Sequence, residues 1–350
     1  MPKILRRVGA IVNSMTKKKK PAAAKKKTPA KKVTIANDNI SKALENTIGQ
    51  IDPRFRDSDE FLDIISWNLR WFNAKEPERV KNITEILSVL NADVFVFEEI
   101  KDKSLDGIAL DLTQQGKGVY EVAYGTTGGD QRVAIMYDTQ WIRAKDDIVE
   151  LFGKGAVKTG DNKDAFPRLP FKGYFLAKSP NANKSGFSFQ LVGVHLKSQM
   201  GDGGSQRRTA AEKLCWWLEK EADEVDADTI IIGDWNKGPE DADWKPIHKM
   251  EKAGKVLFEK INDTSDFSHL YYKNKQNFGS RLDVALVSVD AAHGLVGKKV
   301  DVIKWTTIDD LIQSASDKKV AEIKAILDDI KLNISDHMPL FTRYYLVDND

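Results

Sequence analysis

Seven short apolar runs constrain this chain more than any other feature. FLDIIS (61–66), DVFVFE (93–98), RVAIMYD (132–138), FQLVGVH (189–195), TIIIGD (229–234), LDVALVS (282–288) and MPLFTRYYL (338–346) have the length and β-branched content of buried strands. Between them, RVKNITEILSVLN (79–91) sets Val80, Ile83, Leu87 and Leu90 at helical spacing. SQRRTAAEKLCWWLEKEAD (205–223) reads as a helix with Ser205 as N-cap, and another helix is predicted around 318–331. Strands alternating with helices predict an α/β domain. No repeat or linker divides the body, so one domain is expected over residues 60–348.

The polar residues at the strand ends carry the functional signal. Asn68, Glu99, His195 and Asp234 each follow on an apolar run, at the carboxyl edge where open α/β sheets bind ligands. Asp283 and the pair Asp336–His337 instead stand at the start of strands. If those strands run antiparallel to their neighbours, the same edge gathers them all. In GDWN (233–236), Asp234 and Asn236 are expected on one side of an extended segment. Several carboxylates with one or two amides favour a hard cation such as Mg²⁺ or Mn²⁺, and they repel one another without one. Two histidines add groups that move protons or hold charge. The reaction class this implies is metal-assisted attack of water on a phosphoester.

Charge is distributed unevenly. Residues 1–32 hold ten Lys and two Arg with no acidic residue, whereas the rest of the chain holds 42 basic and 52 acidic residues. The stretch MTKKKKPAAAKKKTPAKK (15–32) cannot build a core and reads as a disordered basic arm. Such an arm on an acidic body points to a polyanionic partner, nucleic acid first. Residues 33–59 read as a linker or a peripheral helix. MPKILRRVGAIVNS (1–14) is a poor secretory signal, and it leaves organellar import open beside a nucleoid or nuclear address. Cys215 is the only cysteine, which excludes intramolecular disulfides and fits a reducing, intracellular compartment. No apolar run approaches the roughly 18–20 residues that span a bilayer.

Taken in order, WNLRW (67–71), FEEI (97–100), GVHLKS (193–198), GDWN (233–236), RLD (281–283) and SDHMPL (335–340) make the chain resemble the endonuclease/exonuclease/phosphatase superfamily over residues 61–346. This superfamily contains DNase I and the exonuclease III-type abasic-site endonucleases. The resemblance implies a four-layered α/β sandwich, two packed mixed sheets with helices outside. It implies Glu99 as principal metal carboxylate with Asn68 beside it, and Asp336 as a second metal or charge partner. Asp234 would activate or orient the attacking water, and Asn236 would hold the water or the phosphate. His337, oriented by Asp283, would contact the scissile phosphate. His195 would help protonate the leaving oxygen or bind the phosphate. Arg132, Arg168 and Lys197 stand where substrate-binding residues are expected.

The chain also departs from the pattern. Gln131 and Gly129 occupy places where the DNase I-like branch carries an acid and a stacking Tyr. Leu69 and Arg70 stand where the abasic-site enzymes show an Asp. HLKS, with Arg207 and Arg208 on the next helix, is closer to the broad bacterial nuclease-like branch. The leading expectation is a Mg²⁺-dependent DNA endonuclease with little sequence preference and with Mn²⁺ as a substitute ion. The alternatives are a hydrolase of small or lipid phosphoesters, and a non-enzymatic nucleic-acid binder. Trp71 and Phe72 are expected either to pack, the favoured reading, or to touch a substrate, and Trp216, Trp217 and Trp235 are expected to pack. His248, His269 and His293 read as surface or loop residues, and Tyr271 and Tyr272 as part of a polar loop.

Overall fold

The seven apolar runs are all strands, divided between two sheets. The computed structural model describes residues 40–346 except 57, 59, 180–185, 202, 259–266 and 276; the basic arm at residues 1–32 lies outside them. The first sheet has the order Asp301–Val302, Leu340–Tyr345, Phe61–Phe72, Val94–Ile100, Arg132–Asp138, Tyr120–Tyr124. The second runs Val256–Phe258, Asp283–Ser288, Thr229–Asp234, Phe187–His195, Phe171–Ala177, Ile142–Ala144, with Val149–Glu150 also on Phe171–Ala177. Among the described residues each sheet contains one parallel pair, Phe61–Phe72 with Val94–Ile100 and Phe187–His195 with Thr229–Asp234. A long crossover through a helix is what lets a parallel pair form. Here Pro77–Leu90 and Gly204–Trp217 supply the helices.

The sheets face each other across one apolar core. A Cβ at Gly193 would sit 2.6 Å from Val96 Cγ1 and 2.7 Å from Val133 Cγ1, so glycine permits the close approach of the second sheet to the first. Helices cover the outer faces, giving the α/β sandwich of two packed mixed sheets. On the second sheet, Ala210, Leu214 and Trp217 pack with Val192, Val194 and Ile231. There Trp235 is fully buried, edge-on to Trp244 and Phe258, as expected for a packing residue. With both faces covered, every residue of Thr229–Asp234 is buried, which is why that run reads as continuous apolar sequence.

Several elements differ from expectation. Phe171–Ala177 (FKGYFLA) alternates buried and half-buried residues, so it shows no unbroken apolar run. Tyr271 and Tyr272 lie in a hairpin, His269–Asn274 with Asn277–Ser280, where a polar loop was expected. The helix at 205 begins at Gly204, with Gly203 as N-cap and no side-chain capping bond; Ser205 is inside it. Trp216 is 42% exposed beneath the ammonium of Lys213, while Trp217 packs. Of the two readings of residues 33–59, linker or peripheral helix, the helix holds at Lys42–Ile48, which is capped by Ser41 and buries Leu44 and Ile48, and Phe55 stacks edge-on with Phe341. Among the described residues no helix is long and apolar enough to cross a membrane.

One ion pair ties the last strand to the first. Asp63, fully buried, accepts from Arg343 Nε at 2.6 Å and Nη2 at 2.7 Å. Removing one partner of such a pair strands a buried charge. Arg343→Met is therefore expected to lower unfolding stability by about 3–5 kcal/mol, read from the urea midpoint.

Candidate active site

The strand geometry gathers the polar residues at one rim. Leu340–Tyr345 is antiparallel to Phe61–Phe72, and Asp283–Ser288 is antiparallel to Thr229–Asp234. The starts of those strands therefore share an edge with the ends of their neighbours. Asp234 is in register with Asp283 on one side and His195 on the other. Asn68, from the first sheet, crosses to the second, its Nδ2 donating to Asp234 Oδ2 at 3.0 Å. Its Oδ1 accepts the Arg70 N–H at 2.9 Å, so the amide of Asn68 fixes Asp234 from one side.

Asp234 is held from the other side by the Asn236 N–H, which donates to Oδ1 at 2.8 Å. Asn236 does not arrive by strand alternation. Its φ of +60° turns the chain back, and its Nδ2 donates to the Leu196 carbonyl at 3.0 Å. Such left-handed conformations are comparatively tolerable for Asn. Gly233, at φ +150°, is needed just before, because a Cβ there would run into the Val194 carbonyl. Burial pushes the Asp234 carboxyl up, His337 pulls it down and Asp283 pushes it up again, leaving it at about 7.

His337 is buried with its Nδ1 2.8 Å from Asp283 Oδ2 and its Nε2 3.9 Å from Asp234 Oδ2. Its main chain is fixed as well: its carbonyl accepts from Trp67 Nε1 at 2.8 Å and its N–H donates to Ser335 Oγ at 3.1 Å. Burial pushes the imidazole down, but Asp283, Asp234 and Asp336 outweigh this and raise it to about 10. It is a cation at neutral pH. His195 is the opposite case. Its Nε2 lies 3.6 Å from Asp234 Oδ2 and 3.7 Å from Glu99 Oε1, yet burial, then the positive charges of Arg168 and His337, hold it well below the usual range. An imidazole held there in its neutral form carries one N–H donor.

Glu99 sits at the end of its strand in a left-handed conformation, φ +57°, with Oε2 accepting the Trp71 N–H at 3.0 Å. Arg70 and Trp71 opposite are left-handed too, at φ +45° and +53°. The pairing jumps here from Asn68↔Glu98 to Phe72↔Ile100. Strain of this kind costs on the order of 1–3 kcal/mol per residue and persists where surroundings impose it, often at functional sites. Asp336 faces Arg70, with Nε and Oδ2 3.3 Å apart. Arg168 is buried and donates to the Leu196 carbonyl at 2.7 Å; burial lowers its affinity for the proton, and Asp234 and Glu99 act against that.

Two expected contributors lie apart from these contacts. Arg132 places its guanidinium against Asp102 at 2.9 Å and the carbonyls of Gly125 and Gly129. Lys197 turns to Ser198 Oγ and the Met200 carbonyl. Arg207 is structural, bonded to Asp243 and to the carbonyls of Lys197 and Ser198. Sequence reasoning missed two residues. His269, read as a surface or loop residue, pairs in antiparallel fashion with His337, ring centroids 4.8 Å apart, with Nδ1 3.1 Å from Ser280 Oγ. Glu98 is fully buried, bonded to Ser66 Oγ at 2.9 Å, and burial followed by Asp283 holds its carboxyl well above the usual range.

A divalent ion fits this donor set. Burial first, and Asp283 after it, raises the carboxyls of Glu98 and Asp234, and the repulsion between these carboxylates is the part a hard cation relieves. His269, Asp336 and His337 bring donor atoms within 4.8 Å of one another, but an imidazolium at His337 does not ligate a metal, so this trio adds nothing to the donor set.

A sequence profile described as the Endonuclease/Exonuclease/phosphatase family matches residues 65–337. No curated protein sequence matches the chain. Among solved structures, the human nocturnin catalytic domain with bound sulfate is similar at 13% identity and a TM-score of 0.52, over 85% of this chain and 100% of that one. Humanized D. rerio TDP2 is similar at 14% identity and 0.51, over 82% and 99%. A mannosyl-6-phosphatase of Bacteroides thetaiotaomicron is similar at 17% and 0.51, over 80% and 98%. Likeness at these identities is likeness of fold.

Proposed function

The chain belongs to the endonuclease/exonuclease/phosphatase family, and on that premise we propose that it is a divalent-metal-dependent phosphodiesterase acting on DNA, cutting internal linkages with little sequence preference. The observation that carries the hydrolytic reading is the Asn68–Asp234 and Asp283–His337 arrangement, a held carboxylate beside a held imidazolium. The nucleic-acid reading rests on the twelve positive charges of residues 1–32, set on an acidic body. A cleft of about 950 Å³ is lined by Lys237, Arg281 and Lys304, but each lies within ion-pair distance of an acid that also lines it, Asp241, Glu240 and Asp309, so the cleft is not a net cationic surface.

In this reading Asp234 takes the proton of the attacking water, oriented by Asn68 and Asn236. The water oxygen bonds to phosphorus while the bond to the leaving oxygen breaks, and that oxygen ends with a proton from solvent. His337 sets its positive charge on a phosphate oxygen, and Asp283 keeps it charged and aimed. His195 and Arg168 offer N–H donors to the same phosphate. Glu99 would hold Mg²⁺ or Mn²⁺, with Asn68 and Asp336 beside it; when bound, the ion supplies charge neutralisation and acidifies water.

Supercoiled plasmid tests the proposal. Nicking is expected with Mg²⁺ or Mn²⁺, none with EDTA, and none from an Asp234→Ala/His337→Ala double variant. A folded wild type that leaves plasmid intact, but releases phosphate from small phosphoesters, would sink the nuclease reading. Deleting residues 1–32 is expected to weaken DNA binding and to flatten its salt dependence, measured by fluorescence anisotropy across a salt series.

A further inference from the structure

We propose that Trp71 is an aromatic platform on which a nucleobase next to the scissile phosphate stacks; the inference rests on the nucleic-acid reading above. The sequence alone favours packing for both Trp71 and Phe72, and the structure separates them. Phe72 is fully buried, and Trp71 is 59% exposed. Neighbouring Leu69 is buried as well and Arg70 is half-buried, so the chain turns a single large aromatic out at this strand end.

The backbone that presents Trp71 is fixed at many points. Arg70 and Trp71 both hold left-handed conformations, which bulky L residues adopt rarely. The Arg70 N–H is bonded to Asn68 Oδ1 and the Trp71 N–H to Glu99 Oε2. The Arg70 side chain reaches Asp336 and the Lys331 carbonyl. Buried Arg79 donates to the carbonyls of Leu69, Arg70 and Ile334. A loop tied to the same residues that build the reaction centre is a rigid mount, and rigid aromatics lose little entropy on binding.

The indole itself has no ring or cation partner among the described residues, unlike Trp216, which Lys213 covers. A groove of about 500 Å³ runs beside it, lined by Arg70, Arg79, Leu332 and Asn333 and by the acids Glu76 and Glu78. Trp71 N–H touches the carboxylate proposed to hold the ion, so a phosphate bound there places its neighbouring nucleoside at this rim. Each base has a π-face, so stacking adds affinity without reading sequence. That agrees with a nuclease of little sequence preference.

The test uses a short single-stranded oligonucleotide with one cleavable linkage, carrying a base or an abasic residue on either side of it. Trp71→Ala is expected to raise KM roughly ten- to a hundredfold, with kcat within about threefold, the scale of one lost base stack. Trp71→Phe is expected to recover most of the loss. The penalty is expected to shrink to within about threefold when the base on one particular side is abasic. A Trp71→Ala variant with the wild-type KM overturns the platform, as does a loss that persists with abasic residues on both sides. A wild type that cleaves no nucleic acid overturns the proposed function and the platform with it. Cleavage that is indifferent to Trp71 removes the platform alone.

Discussion

Asp234→Asn is expected to lower kcat by about a thousandfold or more while leaving the fold intact. The side chain keeps its shape and its bond from the Asn236 N–H, but it can no longer accept a proton. Loss of a positioned general base costs roughly 10²–10⁴ in rate. The effect on stability has two opposing parts. An amide removes a buried negative charge that lies among Asp283 and Glu98. It also sets one amide nitrogen against another at Asn68 Nδ2. Each part is worth about 1–3 kcal/mol, so they offset one another and Tm should move by no more than a few degrees. The sign with pH is fixed. Asp234 titrates at about 7 in the folded protein, above the 3.8 of a free carboxyl. Its ionisation therefore opposes folding in full above about pH 7 and ceases to matter below about 4. The difference in Tm between Asp234→Asn and wild type should be more favourable to the variant at pH 8 than at pH 5. Calorimetry at the two pH values reads it directly. A variant that loses activity only together with its folded structure would refute the assignment.

The sheet edge was legible in the sequence because strands buried on both faces leave unbroken apolar runs, and a polar residue at their end stands out. Asp234 after TIII and His195 after LVGV are such cases. Strand direction completed the set, since antiparallel neighbours bring Asp283, Asp336 and His337 to the same rim. His269 left no such mark. It lies in a hairpin of half-exposed residues, and its approach to His337 depends on a long-range pairing between segments 68 positions apart. Glu98 was hidden differently. FEEI offers two adjacent acids on opposite faces of a strand, and composition does not say which faces the core: Glu98 is fully buried, while Glu99 takes a left-handed, strained conformation at the rim. The same local strain separates Trp71 from Phe72. Periodicity captures regular backbone, and this site is built where the backbone is irregular.

The second large effect concerns the imidazolium. His337→Gln is expected to cut kcat by about 10²–10³, the cost of removing one preorganised charge or donor from a transition state. It should also destabilise the fold by about 3–5 kcal/mol at pH 7, because Asp283 remains buried and charged without its cationic partner. His337 titrates at about 10 when folded against 6.5 when free, so its contribution to stability is complete below about 6.5 and is lost as pH rises through about 10. The gap between wild type and His337→Gln, read from urea midpoints, should therefore narrow steadily from pH 7 to pH 10. Adding Asp283→Asn to the variant removes the stranded charge as well, and a double-mutant cycle separates the two roles of the pair. The double variant is expected to recover much of the lost stability and none of the lost activity. If the pair serves folding alone, stability and kcat will recover together. If it holds a positive charge on phosphate, only stability will return, because no neutral side chain can replace the cation that Asp283 and Asp234 keep in place.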